Sequence, residues 1–222
     1  MDLFYREMGS GEPIVILHGL YGASDNWMSI GRELSVQNRV ILVDQRNHGH
    51  SPHSITHTYS NMVFDLHQLF GKLSLKNAVL IGHSMGGKIA MQMLNIDSDY
   101  FKSLIIIDIH FKEYKTNSIN SLLATTLLQA NISQFQKINQ LKAYFIEKKI
   151  PSNLIGIILK SVDYSGANLK WRSNIPMLAK EYPKVLEKIS VPKNNIPTLL
   201  LKGENSNYVL DEDVLSFKEV FK

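Results

Sequence analysis

The sequence predicts an α/β protein, a mostly parallel sheet flanked by helices, and two observations carry that prediction. Four continuous apolar runs, at 14–17, 40–43, 78–81 and 104–107, have the composition of strands buried on both faces, and stretches of helical periodicity lie between them. The third run, Ala78-Val79-Leu80-Ile81, passes through Gly82-His83-Ser84-Met85-Gly86-Gly87 straight into the helical stretch Lys88-Ile89-Ala90-Met91-Gln92-Met93-Leu94. Strands alternating with helices imply a parallel sheet with right-handed crossovers.

Along the chain, residues 3–8 can form a first strand, and Gly9-Ser10-Gly11-Glu12-Pro13 is turn chemistry. The strand at 14–17 ends in His18-Gly19-Leu20-Tyr21-Gly22, and Asp25-Asn26-Trp27 leads into a helix over 27–34. The strand at 40–43 runs into Asp44-Gln45-Arg46-Asn47-His48-Gly49-His50-Ser51-Pro52. From Ser60, read as a helix cap, Met62, Val63, Leu66, Leu69, Phe70 and Leu73 recur at helical spacing. The elbow strand and its helix follow, and then the strand at 104–107, which ends at Asp108.

Residues 111–190 break this rhythm. They read as helices over 119–128, 138–146, 153–162 and 177–189, with no strong strand among them. The sheet resumes at Pro197-Thr198-Leu199-Leu200-Leu201-Lys202-Gly203, and a helix is expected over 211–221. A helical block placed late in such a chain is a lid over the carboxyl ends of the strands, where ligands bind in this architecture. The expected organisation is therefore a core of residues 1–110 and 193–222 with an all-helical cap, 111–192, inserted between two neighbouring strands.

Composition narrows the function. A 222-residue chain with 44% hydrophobic and 20% charged residues suits one globular domain with an insertion. The absence of cysteine excludes disulfides and thiolate metal sites. No apolar run approaches the roughly 20 residues needed to span a bilayer. The N-terminus lacks a basic region followed by an apolar stretch, so a cytoplasmic protein is expected. The net charge of +4 is spread over lysines interleaved with Asp and Glu, a solvated surface and not a nucleic-acid stripe. No carboxylate cluster at ligand spacing accompanies the histidines, so neither a metal nor a cofactor is expected.

Gly82, Ser84 and Gly86 fit G-x-S-x-G, a pattern that chance also produces in glycine-bearing turns. Its position between a strand and a helix gives it chemical meaning. A serine forced into a sharp strand-to-helix turn holds its hydroxyl clear of the sheet, and the flanking residues are small because two backbones nearly touch there. Such a serine performs acyl transfer, attacking a carbonyl carbon to form an acyl-enzyme that water cleaves.

With these motifs the chain resembles the α/β-hydrolase superfamily over nearly its whole length. His18-Gly19, Asp44-x-Arg46-x-His48-Gly49-x-Ser51 and Gly82-His83-Ser84-Met85-Gly86-Gly87 stand in that family's order. Asn47 before His48-Gly49, Gly87-Lys88, Trp171-Arg172-x-Asn174-Ile175-Pro176 and Gly203-x-Asn205-Ser206-x-Tyr208-Val209 resemble the small YbfF-type esterases. The resemblance implies an α/β-hydrolase fold with Ser84 as nucleophile and an oxyanion hole built from the backbone N–H groups of Leu20 and Met85. It implies Asp108 as the acid, because the loop after Gly203 has no Asp at the usual slot; the alternative is that Asp108 caps a lid helix or loop. The implied substrate is a small carboxylic ester or thioester. His18 reads as a loop pin, His48 and His50 as loop anchors, and His83 as pointing away from its neighbour Ser84.

The base histidine of a triad in this fold follows the last strand, and the last histidine here is His110. A final strand, a Gly-His loop and a closing helix would take about 25–35 further residues at ordinary lengths. The expectation is an incomplete esterase core or a shortened relative without the base, with an exposed strand edge at 198–201. Two rivals stand beside the esterase. One is a catalytically silent α/β hydrolase that binds a small acyl-like ligand. The other is a cofactor-free C–C or lactone hydrolase with the same elbow.

Overall fold

The computed structural model describes residues 1–116 and 118–221. The first half of the chain forms β1 (Tyr5–Met8), β2 (Glu12–Leu17), α1 (Met28–Leu34), β3 (Asn38–Val43), α2 (Tyr59–Lys72), β4 (Ala78–His83), α3 (Met85–Met93) and β5 (Phe101–Ile107). The second half forms α4 (Ser118–Gln129), α5 (Ile138–Glu147), α6 (Ser152–Leu159), β6 (Val162–Asp163), β7 (Lys170–Trp171), α7 (Ile175–Lys180), α8 (Tyr182–Leu186), β8 (Thr198–Leu201) and α9 (Asp211–Val220).

Six strands make one sheet in the order β1-β3-β2-β4-β5-β8. β1 is antiparallel to β3, and every other neighbouring pair is parallel. The all-apolar runs of β2, β3 and β4 occupy the centre, as strands covered on both faces must. α2 and α3 pack the larger core on one face through Leu66, Phe70, Ile89 and Met93. α1 covers the other face, where Ile14, Ile16, Val40, Leu42 and Ile81 meet Trp27 and Met28. β5 and β8 are hydrogen-bonded neighbours from Leu104↔Thr198 to Ile107↔Leu201, although 90 residues separate them. β8 is an edge, and Leu199 and Leu201 are 52% and 43% exposed on it.

The segment between β5 and β8 has its own apolar cluster, built from Leu123 and Leu127 of α4, Leu141 and Phe145 of α5, Ile155 and Ile158 of α6, and Leu178 of α7. Here the expectation of an all-helical segment is corrected. Val162–Asp163 and Lys170–Trp171 pair as a small antiparallel ribbon, and strands of two residues are too short to show a period of two in sequence. The helix expected over 153–162 therefore ends at Leu159. The one expected over 177–189 is two helices, because Pro183, which has no N–H to donate, stands at the first turn of α8. The α2 cap is Thr58, whose hydroxyl accepts the Asn61 N–H, and not Ser60.

Candidate active site

The turn from β4 into α3 is built by close approach. A Cβ on Gly82 would lie 2.4 Å from the Gly86 carbonyl oxygen, and one on Gly86 would lie 2.6 Å from the Leu17 oxygen, so neither position accepts a larger residue without moving backbone. Ser84 between them takes φ 50° and ψ −118°. The φ is positive and ψ lies outside the left-handed helical basin, and such torsions are costly for a residue with a Cβ. The turn is held from both sides: the Ser84 N–H donates to Ile107 of β5 at 3.0 Å, and the Ser84 carbonyl accepts from Gly87 and Lys88.

Ser84 opens into a cavity of about 550 Å³. Leu20, Met85 and Asp108, the other residues singled out from sequence, line the same cavity. Among the described residues the N–H groups of Leu20 and Met85 meet no protein acceptor, and that of Met85 opens α3, where backbone donors have no intrahelical partner. Unpaired backbone donors beside a serine can stabilise a tetrahedral oxyanion, and removal of one such donor typically costs about a hundredfold or more in rate.

Two buried imidazoles hold the Leu20 loop. His18 Nδ1 lies 2.8 Å from the Gly19 carbonyl and must donate to it, leaving Nε2 to accept the Gln45 N–H at 3.0 Å. His48 repeats the arrangement: Nδ1 donates to the Arg46 carbonyl and Nε2 accepts the Tyr21 N–H at 3.2 Å. Both rings must therefore be neutral in one tautomer, and burial drives both below the usual histidine range. Tyr21 sits at φ 61°, with its carbonyl bonded to the Ser161 hydroxyl. The loop beneath is fixed by Asp44, whose carboxylate accepts the N–H groups of Ser24 and His50, and by the buried Arg46–Asp65 ion pair at 2.6 Å.

Asp108 also has positive φ, 53°. Its carboxylate accepts the Gly203 N–H at 3.2 Å and the Ser206 hydroxyl at 2.6 Å, both from the loop after β8. It caps no helix of the inserted segment through these bonds. Sequence reasoning had not assigned Ser206 this contact; its place in the Gly203-x-Asn205-Ser206 loop was the available signal.

His83 borders the cavity with Ser84 without a hydrogen bond to it, burial lowers its pKa, and the charge of Asp108 opposes that lowering. His110 is buried and occupied. Its Nδ1 accepts the Lys112 N–H, its Nε2 lies 3.1 Å from the Ser216 hydroxyl, and burial lowers it to about 4. His50 packs its ring against Phe4. Among the described residues no group of three or more His, Asp or Glu side chains could hold a metal ion, and no helix is long and apolar enough to cross a membrane.

Comparison with known proteins bears on the fold. Residues 12–154 match the family model described as alpha/beta hydrolase fold. The chain is 32% identical to Esterase YbfF of Escherichia coli (strain K12) over 203 residues, covering 91% of this chain and 78% of that protein. It is 28% identical to the sn-1-specific diacylglycerol lipase ABHD11 of Danio rerio, over 96% of this chain and 69% of the relative. Among solved structures, a marine microorganism esterase superimposes with a TM-score of 0.93 at 36% identity, covering 99% of this chain and 87% of that one. With its elbow, its sheet order and these relatives, the chain belongs to the α/β-hydrolase family.

Proposed function

We propose that this chain is a serine hydrolase that cleaves small carboxylic esters or thioesters through an acyl-enzyme. The observation that supports the reading is that the Ser84 elbow, Leu20, Met85 and Asp108 all line one cavity. Ester cleavage also matches the names of its relatives, an esterase and a diacylglycerol lipase. Ser84 Oγ forms a bond to the carbonyl carbon as its proton passes to water or to added imidazole, and charge collects on the carbonyl oxygen between the two donors. The C–O or C–S bond then breaks as the alcohol or thiol takes up that proton, and water attacks the acyl-enzyme, releasing the carboxylic acid and returning a proton to Ser84 Oγ. Segment 111–192 acts as the lid that keeps this chemistry away from bulk water, over a core of 1–110 and 193–222.

Proton transfer is the step with the fewest candidates. All eight histidines lie at or before position 110. His110 is held by Ser216 and Lys112, and of the two imidazoles that border the cavity, His18 is engaged through both ring nitrogens while His83 lies near the charge of Asp108. Among the described residues no side chain hydrogen-bonds the Ser84 hydroxyl. That observation favours a second reading for the 222-residue chain, a silent relative that binds an acyl-like ligand. Loss of a triad member leaves a residual roughly 10³–10⁴ over water from the oxyanion hole and binding.

p-Nitrophenyl butyrate turnover, with and without added imidazole, separates the two. The hydrolase reading expects slow turnover that rises with imidazole and disappears in Ser84→Ala. No turnover above Ser84→Ala at any imidazole concentration, with ligand binding retained, would establish the silent relative.

A further inference from the structure

α3 carries a lysine that the chemistry above does not use. Lys88 lies one helical turn past Ser84, is fully buried, and has no carboxylate within ion-pair distance among the described residues. An ammonium taken out of water is costly unless other groups replace its hydration. Here Nζ donates to the backbone carbonyls of Glu187 at 2.5 Å and Leu186 at 3.4 Å. It also stands 4.9 Å from the Tyr114 ring centroid and 5.6 Å from that of Tyr59, within cation–π range. Burial lowers it to about 8, against the charges of Glu187 and Glu113, which raise it.

Those carbonyls mark the end of α8. The last carbonyls of a helix have no intrahelical donors, and here three consecutive ones are satisfied from other parts of the chain. Val185 accepts the Tyr59 hydroxyl at 2.8 Å, Leu186 accepts the Tyr114 N–H at 2.8 Å as well as Lys88, and Glu187 accepts Lys88. Val185 and Leu186 are also wall residues of the cavity, with Tyr59, Tyr114 and Tyr182. One side chain thus ties the helix that presents Ser84 to part of the wall around it.

We propose that Lys88 is a positioning residue that sets the α8 wall relative to Ser84 and thereby limits the length of acyl chain the cavity accepts. Without the ammonium, the Glu187 carbonyl loses its donor and the Leu186 carbonyl keeps only the Tyr114 N–H, so the end of α8 is no longer drawn onto α3 and shifts away from Ser84. The cavity then lengthens. The substrate class rests on the hydrolase reading, but the wall's position does not depend on turnover.

Calorimetric binding of two uncharged acyl-like ligands, 2-pentanone and 2-nonanone, tests this in the 222-residue chain. Lys88→Met keeps the volume of the stem and removes the charge. The ratio of affinities should shift towards the longer ketone by about tenfold, the order that a few methylenes command in an apolar pocket. Should Lys88→Met fail to fold, Tyr59→Phe, which removes one bond to the same wall, should shift the ratio in the same direction by about threefold. An unchanged ratio in a folded Lys88→Met, or in Tyr59→Phe where Lys88→Met does not fold, overturns the proposal, and so does wild-type protein that binds neither ketone. A shifted ratio without esterase turnover supports the wall role while counting against hydrolysis, so the two readings fail separately.

Discussion

On the His18 side of Ser84, the groups that hold the cavity are buried and lie within a few residues of a sequence motif. His18, Asp44 and His48 bond backbone N–H and C=O groups of the loops after β2 and β3, and Arg46 pairs with Asp65 at 2.6 Å inside the core. On the Asp108 side, the support comes from 95 and 98 residues away, through the Gly203 N–H and the Ser206 hydroxyl. That side ends at an edge strand with two exposed leucines. The difference teaches where preorganisation resides. The proposed oxyanion donors stand beside a buried hydrogen-bonded scaffold, whereas the Asp108 carboxylate depends on the loop after β8 keeping its place.

The largest expected contrast uses one substitution on each side. Gly86→Ala places a Cβ 2.6 Å from the Leu17 oxygen and 2.7 Å from the His18 oxygen, both backbone, and should cost about 3 kcal/mol or more by thermal or urea unfolding. Gly203→Ala meets the Ser206 Cβ at 3.0 Å and Asp108 Oδ1 at 3.5 Å in an exposed loop, and should cost about 1 kcal/mol or less. Equal losses would remove the claimed asymmetry.

Next come the two carboxylates. Asp44→Asn replaces one oxygen that accepts a buried N–H with an amide that donates, and about 2 kcal/mol of stability should be lost. Asp108→Asn should leave stability within about 0.5 kcal/mol while slowing any imidazole-assisted turnover. Normal turnover in Asp108→Asn would return the acid role to the loop after Gly203.

Acid sharpens the comparison further. His18 and His48 are held neutral by burial, and His57, lowered to about 3, lies beside them. Because their folded pKa values are depressed, the unfolded chain takes up protons first. Stability should be full above the unfolded value near 6.5 and fall as pH drops below it. Each such histidine contributes up to about 1.4 kcal/mol per pH unit until its folded pKa is reached. Urea midpoints between pH 7 and pH 4.5 measure this, and a flat profile would mean that these rings are charged or accessible in the native state. A small effect is also expected for Ser206→Ala, which removes one part-buried hydroxyl from Asp108: about 1 kcal/mol or less in stability.

The same asymmetry governs what the sequence makes legible. Gly82, Ser84 and Gly86 announce the elbow because a tight turn acts within five residues, and His18-Gly19 and Asp44 to Ser51 announce their loops for the same reason. The buried strands are legible because full burial demands an unbroken apolar run. The ribbon at Val162–Asp163 and Lys170–Trp171 is not, since two residues carry no period. Nor is the position of His83, because the side on which a residue next to an elbow emerges depends on the turn's torsions. Contacts that tie segment 111–192 to the rest are equally hidden. Arg172 to Asp25, Asn174 to Asn47 and Lys88 to Glu187 each join residues about 100 or more apart, and no local pattern encodes such partners.

The central claim is that the Ser84 hydroxyl stands at an acyl-transfer site, and a fluorophosphonate probe tests it most directly. Peptide mapping by mass spectrometry should find one adduct, on the peptide carrying Ser84, formed faster with added imidazole and absent from Ser84→Ala. An adduct on another residue, or none while the cavity still binds an acyl-like ketone, would contradict the account.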